Sequence, residues 1–243
     1  MKHYLIILLL VLVGLTTYGQ VSSNKGTEFW VGFMDHIDGT SASLDLYITS
    51  DSNTTGTVSI PGGTWSTTFT VTANQMTLVS VPSADAHVDC GDCTRDKGIK
   101  VTSQKPVVVY SHIYNNFRSD ATLVLPVAST GQNYFVMSYS QKTNGQHSQF
   151  MVISAQDNTK VRITPTDDVG SRPANTSYEI VLDEGEAYQG QAPGLNDDLT
   201  GTKIEVIDTG SNASCKKVSV FCGSSFTSLG CTGFASGDNL YQQ

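Results

Sequence analysis

Leu44-Asp45-Leu46-Tyr47-Ile48 alternates apolar side chains with side chains that tolerate water. Successive side chains of an extended strand point to opposite faces, so this alternation predicts a half-buried β-strand. The same period of two recurs at 57–60, 68–71 and 99–101, where the β-favouring residues threonine and valine are common. Turn-forming residues such as Pro61-Gly62-Gly63 separate the runs. The pattern predicts an all-β fold and favours a β-sandwich, with a β-propeller-like or larger barrel arrangement as the alternative.

Two stretches of the chain resemble each other at a spacing of about 105 residues, the distance from Gly26 to Gly131. Residues 26–31 are echoed by 131–136. Further matches follow in the same order: 47–49 with 152–154, 58–61 with 161–165, 99–101 with 204–206, and 105–110 with 216–221. A unit of this length is too long for one turn of a solenoid. We therefore predict two tandem β-sandwich-like repeats packed together, at 20–125 and 126–243, as the opening part of a longer surface protein.

The first 19 residues predict a secretory signal peptide. Lys2 gives a basic start, 5–15 is an apolar run, and Thr17-Tyr18-Gly19 supplies small residues before a cleavage site at Gln20. The alternative is a membrane anchor, but a helix over the apolar run would span about 16 Å of a hydrocarbon core of about 30 Å. The sequence thus predicts a secreted or cell-surface protein with no membrane span after signal cleavage.

The net charge limits the possible partners. The chain has 22 acidic and 14 basic residues and a formal net charge of −8 at pH 7. An acidic surface repels nucleic acid and anionic lipid, so neither is expected as a partner. Charged residues make up only 15% of the chain, which is typical of the polar, weakly ionic surfaces of extracellular β-proteins.

Five cysteines are expected to favour disulfides, because the protein is predicted to be exported. Cys90 and Cys93 could close a short loop. Cys222 could bridge to Cys231 across a loop rich in glycine and serine, with Cys215 as the competing partner. Under either pairing of Cys222, one cysteine is left over.

The sequence signals for metal sites are weaker than those for disulfides. His87-x-x-Cys90-x-x-Cys93 has ligand spacing, but a structural zinc site needs four ligands and an oxidising compartment favours a disulfide here. Acidic turns at 35–39, 51–53 and 196–198 could hold calcium, although none has the EF-hand spacing and solvated turns are the default. We therefore predict no metal and no cofactor.

Catalytic signals are also weak. The histidines after the signal peptide, at 36, 87, 112 and 147, lie in polar settings, and no GxSxG motif is present. No catalytic residue is predicted, and a secreted hydrolase is the least favoured function.

Aromatic residues near strand ends are the candidates for binding, because rings can stack on sugars or anchor a protein partner. Trp30, beside Phe29 and Phe33, is predicted to be core. The predicted binding residues are Trp65, His112, Tyr114, Phe117 and Arg118.

Several segments together resemble a known family. They are 26–29, 48–61, 97–103 with 105–107, 121–127, 134–136, and 157–161 with 164–166. Over about residues 24–243 the chain resembles the N-terminal domain of the IgG Fc-binding proteins, as a bacterial secreted or surface member. The resemblance implies an extracellular, non-catalytic interaction domain, although no Fc-contacting residue can be carried over position by position.

These observations favour a non-catalytic binding or adhesion module for an extracellular glycan or glycoprotein. The alternative is a structural spacer repeat of a larger surface protein.

Overall fold

The computed structural model describes residues 23–116, 118–141, 145–207, 216–226 and 239–242. Strands dominate the regular structure of these residues, which confirms the predicted all-β class. A short helix, α1 (Ser83–Ala86), and two 3-10 turns at Gly39–Ser41 and Val127–Ser129 interrupt the strands. The predicted signal peptide lies outside the described residues.

The strands divide into two halves along the chain. The N-terminal half, 26–124, contains β1 (Gly26–Val31), β2 (Ser43–Thr49), β3 (Thr54–Ser59), β4 (Ser66–Val71), β5 (Met76–Val81), β6 (Asp92–Arg95), β7 (Ile99–Asn115) and β8 (Arg118–Val124). The C-terminal half, 133–242, contains β9 (Asn133–Phe135), β10 (Ser148–Ser154), β11 (Thr159–Thr164), β12 (Tyr178–Leu182), β13 (Ala187–Gln191), β14 (Lys203–Val206), β15 (Val218–Ser224) and β16 (Asn239–Gln242).

Strand β7 is 17 residues long and belongs to two sheets. Its first part pairs with β1 and β3, and its second part pairs with β2 and β8, all antiparallel. Pro106 lies where β7 passes from one sheet to the other, a position where its missing N–H costs no ladder hydrogen bond. The N-terminal half is therefore a sandwich of the sheets β4-β3-β7-β1 and β5-β2-β7-β8.

Alternate side chains fill this sandwich, as the sequence predicts. On β2, Leu44, Leu46 and Ile48 are buried in the core, whereas Tyr47 lies on the opposite face. Trp30 is fully buried in the same core, which confirms its predicted place.

The strand pairs of the C-terminal half follow the same pattern. Its sheets run β12-β11-β14-β9 and β13-β10-β15-β16, with β14 and β15 in the places of the two parts of β7. Strand β6, from the N-terminal half, adds to the edge of β13 with Cys93 opposite Gln189. The predicted sandwich-like architecture is confirmed, while the boundaries 20–125 and 126–243 stay a prediction.

Strand β10 is buried at every position. Phe150 and Val152 pack into the core of the C-terminal half, and Met151 and Ile153 join the core of the N-terminal half. Gly32 approaches this strand so closely that an added Cβ would overlap the Met151 side chain. The two halves thus meet across one shared wall.

Amide side chains supply the hydrogen bonds at this junction. Gln189 Oε1 accepts from the Asp35 amide at 3.0 Å, and Gln149 Nε2 donates to the Asp35 carbonyl at 2.8 Å. Gln191 Nε2 donates to Asp35 Oδ2 at 3.0 Å and to Gln149 Oε1 at 2.9 Å. All three glutamines are buried. Their pairing avoids the desolvation cost of orphaned polar groups.

We expect Ile153→Ala to lower the free energy of unfolding by about 2–5 kcal/mol, because it leaves a cavity where the two cores meet. Both halves should unfold in one transition. Urea denaturation followed by tryptophan fluorescence and circular dichroism measures both quantities. The matched control is Val181→Ala on β12, a residue that is 53% exposed, with an expected change within about 0.5 kcal/mol. Two separate transitions would contradict the shared core.

Candidate binding surfaces

Trp65 lines a cleft of about 380 Å³ on the N-terminal half. The turn between β3 and β4 places it there: Gly63 N donates to the Ile60 carbonyl at 2.9 Å, and Ile60 N donates to the Trp65 carbonyl at 3.1 Å. The indole is partly buried against the core, so one part of the ring is held while the other borders the cleft. We call this the Trp65 cleft.

The far wall of the Trp65 cleft comes from the segment 84–97. Lys97 Nζ donates to the carbonyls of Ala84 (3.0 Å) and His87 (2.7 Å), which ties this segment together. The exposed side chains of Asp85, Arg95 and Asp96 also line the cleft. The cleft therefore combines an aromatic ring with a guanidinium and two carboxylates.

A second groove, of about 410 Å³, lies between β4 and β5. Threonines of both strands line it, together with Trp65 and Leu78. Because Leu78 also borders the outer face of the sheet β5-β2-β7-β8, the groove connects Trp65 with that face.

The outer face of the sheet β5-β2-β7-β8 carries a row of large side chains. Leu78, Tyr47, Tyr110 and Leu123 lie directly opposite one another on the four strands. In the next rows, His112 stands 5.7 Å from the Tyr47 ring and 5.9 Å from the Tyr114 ring, between centroids. Tyr110 is 42% exposed and Tyr114 is 45% exposed. We call this surface the tyrosine face; its residues are Tyr47, Met76, Leu78, Tyr110, His112, Tyr114 and Leu123.

The structure separates the predicted binding residues. His112 and Tyr114 lie on the tyrosine face, and Trp65 lies in its own cleft. Arg118 is engaged within the molecule, since its Nη1 donates to Asp38 Oδ1 at 2.8 Å and its guanidinium stacks over the Phe226 ring at 5.2 Å. Phe117 lies outside the described residues. The residues that the structure describes among these candidates therefore lie at separate places on the N-terminal half.

Sequence reasoning did not identify Tyr47, Leu78 and Tyr110 as candidate binding residues. The run 107–110 is apolar throughout, yet Tyr110 at its end faces outward and is exposed. The period of two along β2 already placed Tyr47 on the outer side. Register across four strands, which the sequence does not reveal, aligns these residues into one surface.

Comparison with known proteins places the chain in one family. The sequence model of the family described as IgGFc binding protein matches residues 120–243. The chain belongs to this family. Neither the curated proteins nor the solved structures gave a match. The IgG Fc-binding family is one of binding modules and is not a known family of enzymes.

Cysteine geometry in this family member fits an extracellular protein. Cys90 and Cys93 form a disulfide. Cys222, on β15, is a free, fully buried thiol. Cys231, its predicted partner, and Cys215, the competing partner, lie outside the described residues.

In the structure, the two cysteines of the His87-x-x-Cys90-x-x-Cys93 spacing are bonded to each other. Neither is therefore a thiolate ligand beside His87. Burial lowers the pKa of His87, against the opposing effect of the Asp35 and Asp89 carboxylates. Within the described residues, no group of three or more histidine, cysteine, aspartate or glutamate side chains is placed to hold a metal ion.

The described part of the chain has only short helical segments. None of its helices has the length and apolar character needed to cross a bilayer. The partner that the IgG Fc-binding family implies is a protein.

We expect Cys222 to resist alkylation in the native protein. Burial raises the pKa of its thiol to about 11, so at pH 8 only about one thiol in a thousand is ionised. Iodoacetamide labelling followed by peptide mapping with fragment-ion assignment measures the modified fraction. In denaturant without reductant, Cys222 should become fully labelled while Cys90 and Cys93 stay unlabelled. A Cys222–Cys231 crosslinked peptide would contradict the free thiol.

Proposed function

We propose that this protein is a secreted or cell-surface adhesion module that binds a glycan or glycoprotein through the Trp65 cleft. The observation that carries the proposal is the meeting of an indole, a guanidinium and two carboxylates in a cleft of about 380 Å³. Binding sites for small ligands usually measure about 300–1,000 Å³ and combine an apolar surface with a few convergent polar groups.

The chemistry of these groups suits a sugar. One face of a pyranose ring carries C–H groups that pack on an aromatic ring such as Trp65. Its hydroxyls both donate and accept hydrogen bonds, so Arg95 can donate to them while Asp85 and Asp96 accept from them. Arg95 Nη1 otherwise donates to the Thr94 carbonyl at 3.0 Å, a local contact that leaves the rest of the guanidinium exposed.

The extracellular setting supports the same proposal. The Cys90–Cys93 disulfide and the predicted signal peptide in residues 1–19 both favour export. The family name denotes binding of IgG Fc. No residue of this chain points to that particular partner, so the proposal extends to glycoproteins in general.

A structural spacer is the second candidate function. Its support is the shared strand pattern of the two halves, which favours two copies of one unit at 20–125 and 126–243. The extensive burial of β10 between the halves would also make the pair rigid. A spacer needs no ligand, so the two candidates differ in a measurable way.

We expect Trp65→Ala to weaken glycan or glycoprotein binding at least tenfold, about 1.4 kcal/mol, because the stacking ring is lost. Glycan-array screening and mucin pull-down with the mature chain identify the ligand, and titration calorimetry then gives the affinity. Arg95→Ala, an exposed substitution, should also weaken binding and leaves the core intact.

Val181→Ala is the matched control, since it removes an exposed apolar side chain away from the cleft. Circular dichroism verifies that each variant is folded. An unchanged affinity in both Trp65→Ala and Arg95→Ala would reject the cleft as the site. No binding by the unmodified chain to any glycan or mucin would favour the spacer.

A further inference from the structure

All but one of the large apolar side chains that remain exposed in the described residues fall into two groups. Met76, Leu78, Tyr110 and Tyr114 belong to the tyrosine face. The second group, here called the distal patch, consists of Phe135, Met137, Tyr139 and Leu195. Val181 lies in neither group. Clusters of exposed apolar side chains mark sites that another molecule covers.

Hydrogen bonds hold the distal patch together on two neighbouring segments. Gln141 N donates to the Asp197 carbonyl at 2.9 Å, and Ser138 N donates to Thr200 Oγ1 at 3.1 Å. The segment after β9 therefore runs beside the segment before β14. Met137 is 56% exposed and Phe135 is 64% exposed, so both side chains are available to a partner.

The junction between the halves contains a corresponding pair of segments from the N-terminal half. The segment after β1 runs beside the segment before β7, with Val88 N donating to the Phe33 carbonyl at 3.0 Å. Together they cover the outer face of β10, β13 and β15, where Met151 and Ile153 pack. Phe33 and Met34 are buried as a result.

The two exposed surfaces are the counterparts of the two sides of this junction. The distal patch follows β9 and precedes β14, which pair as β1 and the first part of β7 do. The tyrosine face lies on β2, β5 and β7, which pair as β10, β13 and β15 do. The chain thus contains the contact once and carries both surfaces needed to form it again.

An open strand edge accompanies the tyrosine face. At the junction, β6 pairs with the edge of β13. The counterpart of β13 in the N-terminal half is β5. Strand β5 pairs with β2 and, among the described strands, has no strand on its other edge. An edge with unpaired backbone N–H and C=O groups is a template for adding a strand.

We infer that copies of this chain associate head to tail, with the distal patch of one copy packed on the tyrosine face of the next. The two surfaces differ, so the contact is heterologous and each added copy leaves both surfaces open at the ends. Tyrosine is favoured at the centres of such interfaces. The contact uses the tyrosine face and not the Trp65 cleft itself; the groove between β4 and β5 joins the two surfaces.

Two charge substitutions test the inference, one on each surface. Tyr110→Arg blocks the tyrosine face and Met137→Arg blocks the distal patch. Val181→Arg is the control, because it puts the same charge at a similarly exposed apolar position outside both surfaces. Circular dichroism confirms that all three variants are folded.

Light scattering coupled to size-exclusion chromatography and sedimentation velocity measure the mass of the mature chain as concentration rises. The unmodified chain and Val181→Arg should grow beyond the dimer mass, and each blocked variant alone should associate at least tenfold more weakly. An equimolar mixture of Tyr110→Arg and Met137→Arg should form one-to-one pairs and nothing larger, because each variant keeps the surface that the other lacks.

Several results would overturn the inference. One is an unmodified chain that stays monomeric up to about 1 mM, the weak end of specific affinities. Others are a dimer whose mass does not rise further and a mixture of blocked variants that stays monomeric. The last is a loss of self-association in Val181→Arg equal to that in the blocked variants. Glycan binding that persists in Tyr110→Arg would show that ligand recognition and self-association are separate.

Discussion

A strand with no water-facing side is the constraint on which this structure depends. Strand β10 buries Phe150 and Val152 in one core and Met151 and Ile153 in the other. Removing either half would expose an apolar face that water cannot solvate without cost. The halves must therefore be folded against each other. This makes their relative placement a property of packing and not of a linker.

Strand β6 fixes the same junction by a polar route. Asp92 Oδ1 accepts from the Tyr188 hydroxyl at 2.7 Å, and its Oδ2 accepts from Arg172 Nε at 2.8 Å. The Tyr178 and Tyr188 hydroxyls lie 2.8 Å apart, and burial raises the pKa of both, so they stay protonated and able to donate. The Cys90–Cys93 disulfide, beside Asp92, restricts the backbone conformations of β6. This four-residue strand must cross between the halves.

The sequence revealed much of this fold, but not the register of its second half. The period of two along β2 is sufficient to predict which side chains enter the core, because the other face meets water. Matching the halves by sequence sets Ile48 against Ile153, yet in the structure the residue that faces its own sandwich core is Val152. A strand that is apolar on both faces carries no alternation, so a shift of one residue goes undetected.

The candidate sites show the same limit and a further contrast. Trp65 can be predicted from its turn, but the far wall of its cleft comes from residues distant in sequence, which no local pattern connects.

The outer faces of the two halves differ in chemistry. On the outer face of β10 and β13, which the junction covers, Gln149 and Gln189 pair their amides with the covering segment. On the corresponding outer face of β2 and β7, which is open, Tyr47 and Tyr110 lie side by side. A tyrosine ring offers broad apolar area while its hydroxyl stays hydrated, so this face tolerates both exposure and burial. That chemistry suits a contact that forms and separates, whereas paired buried amides suit one that does not.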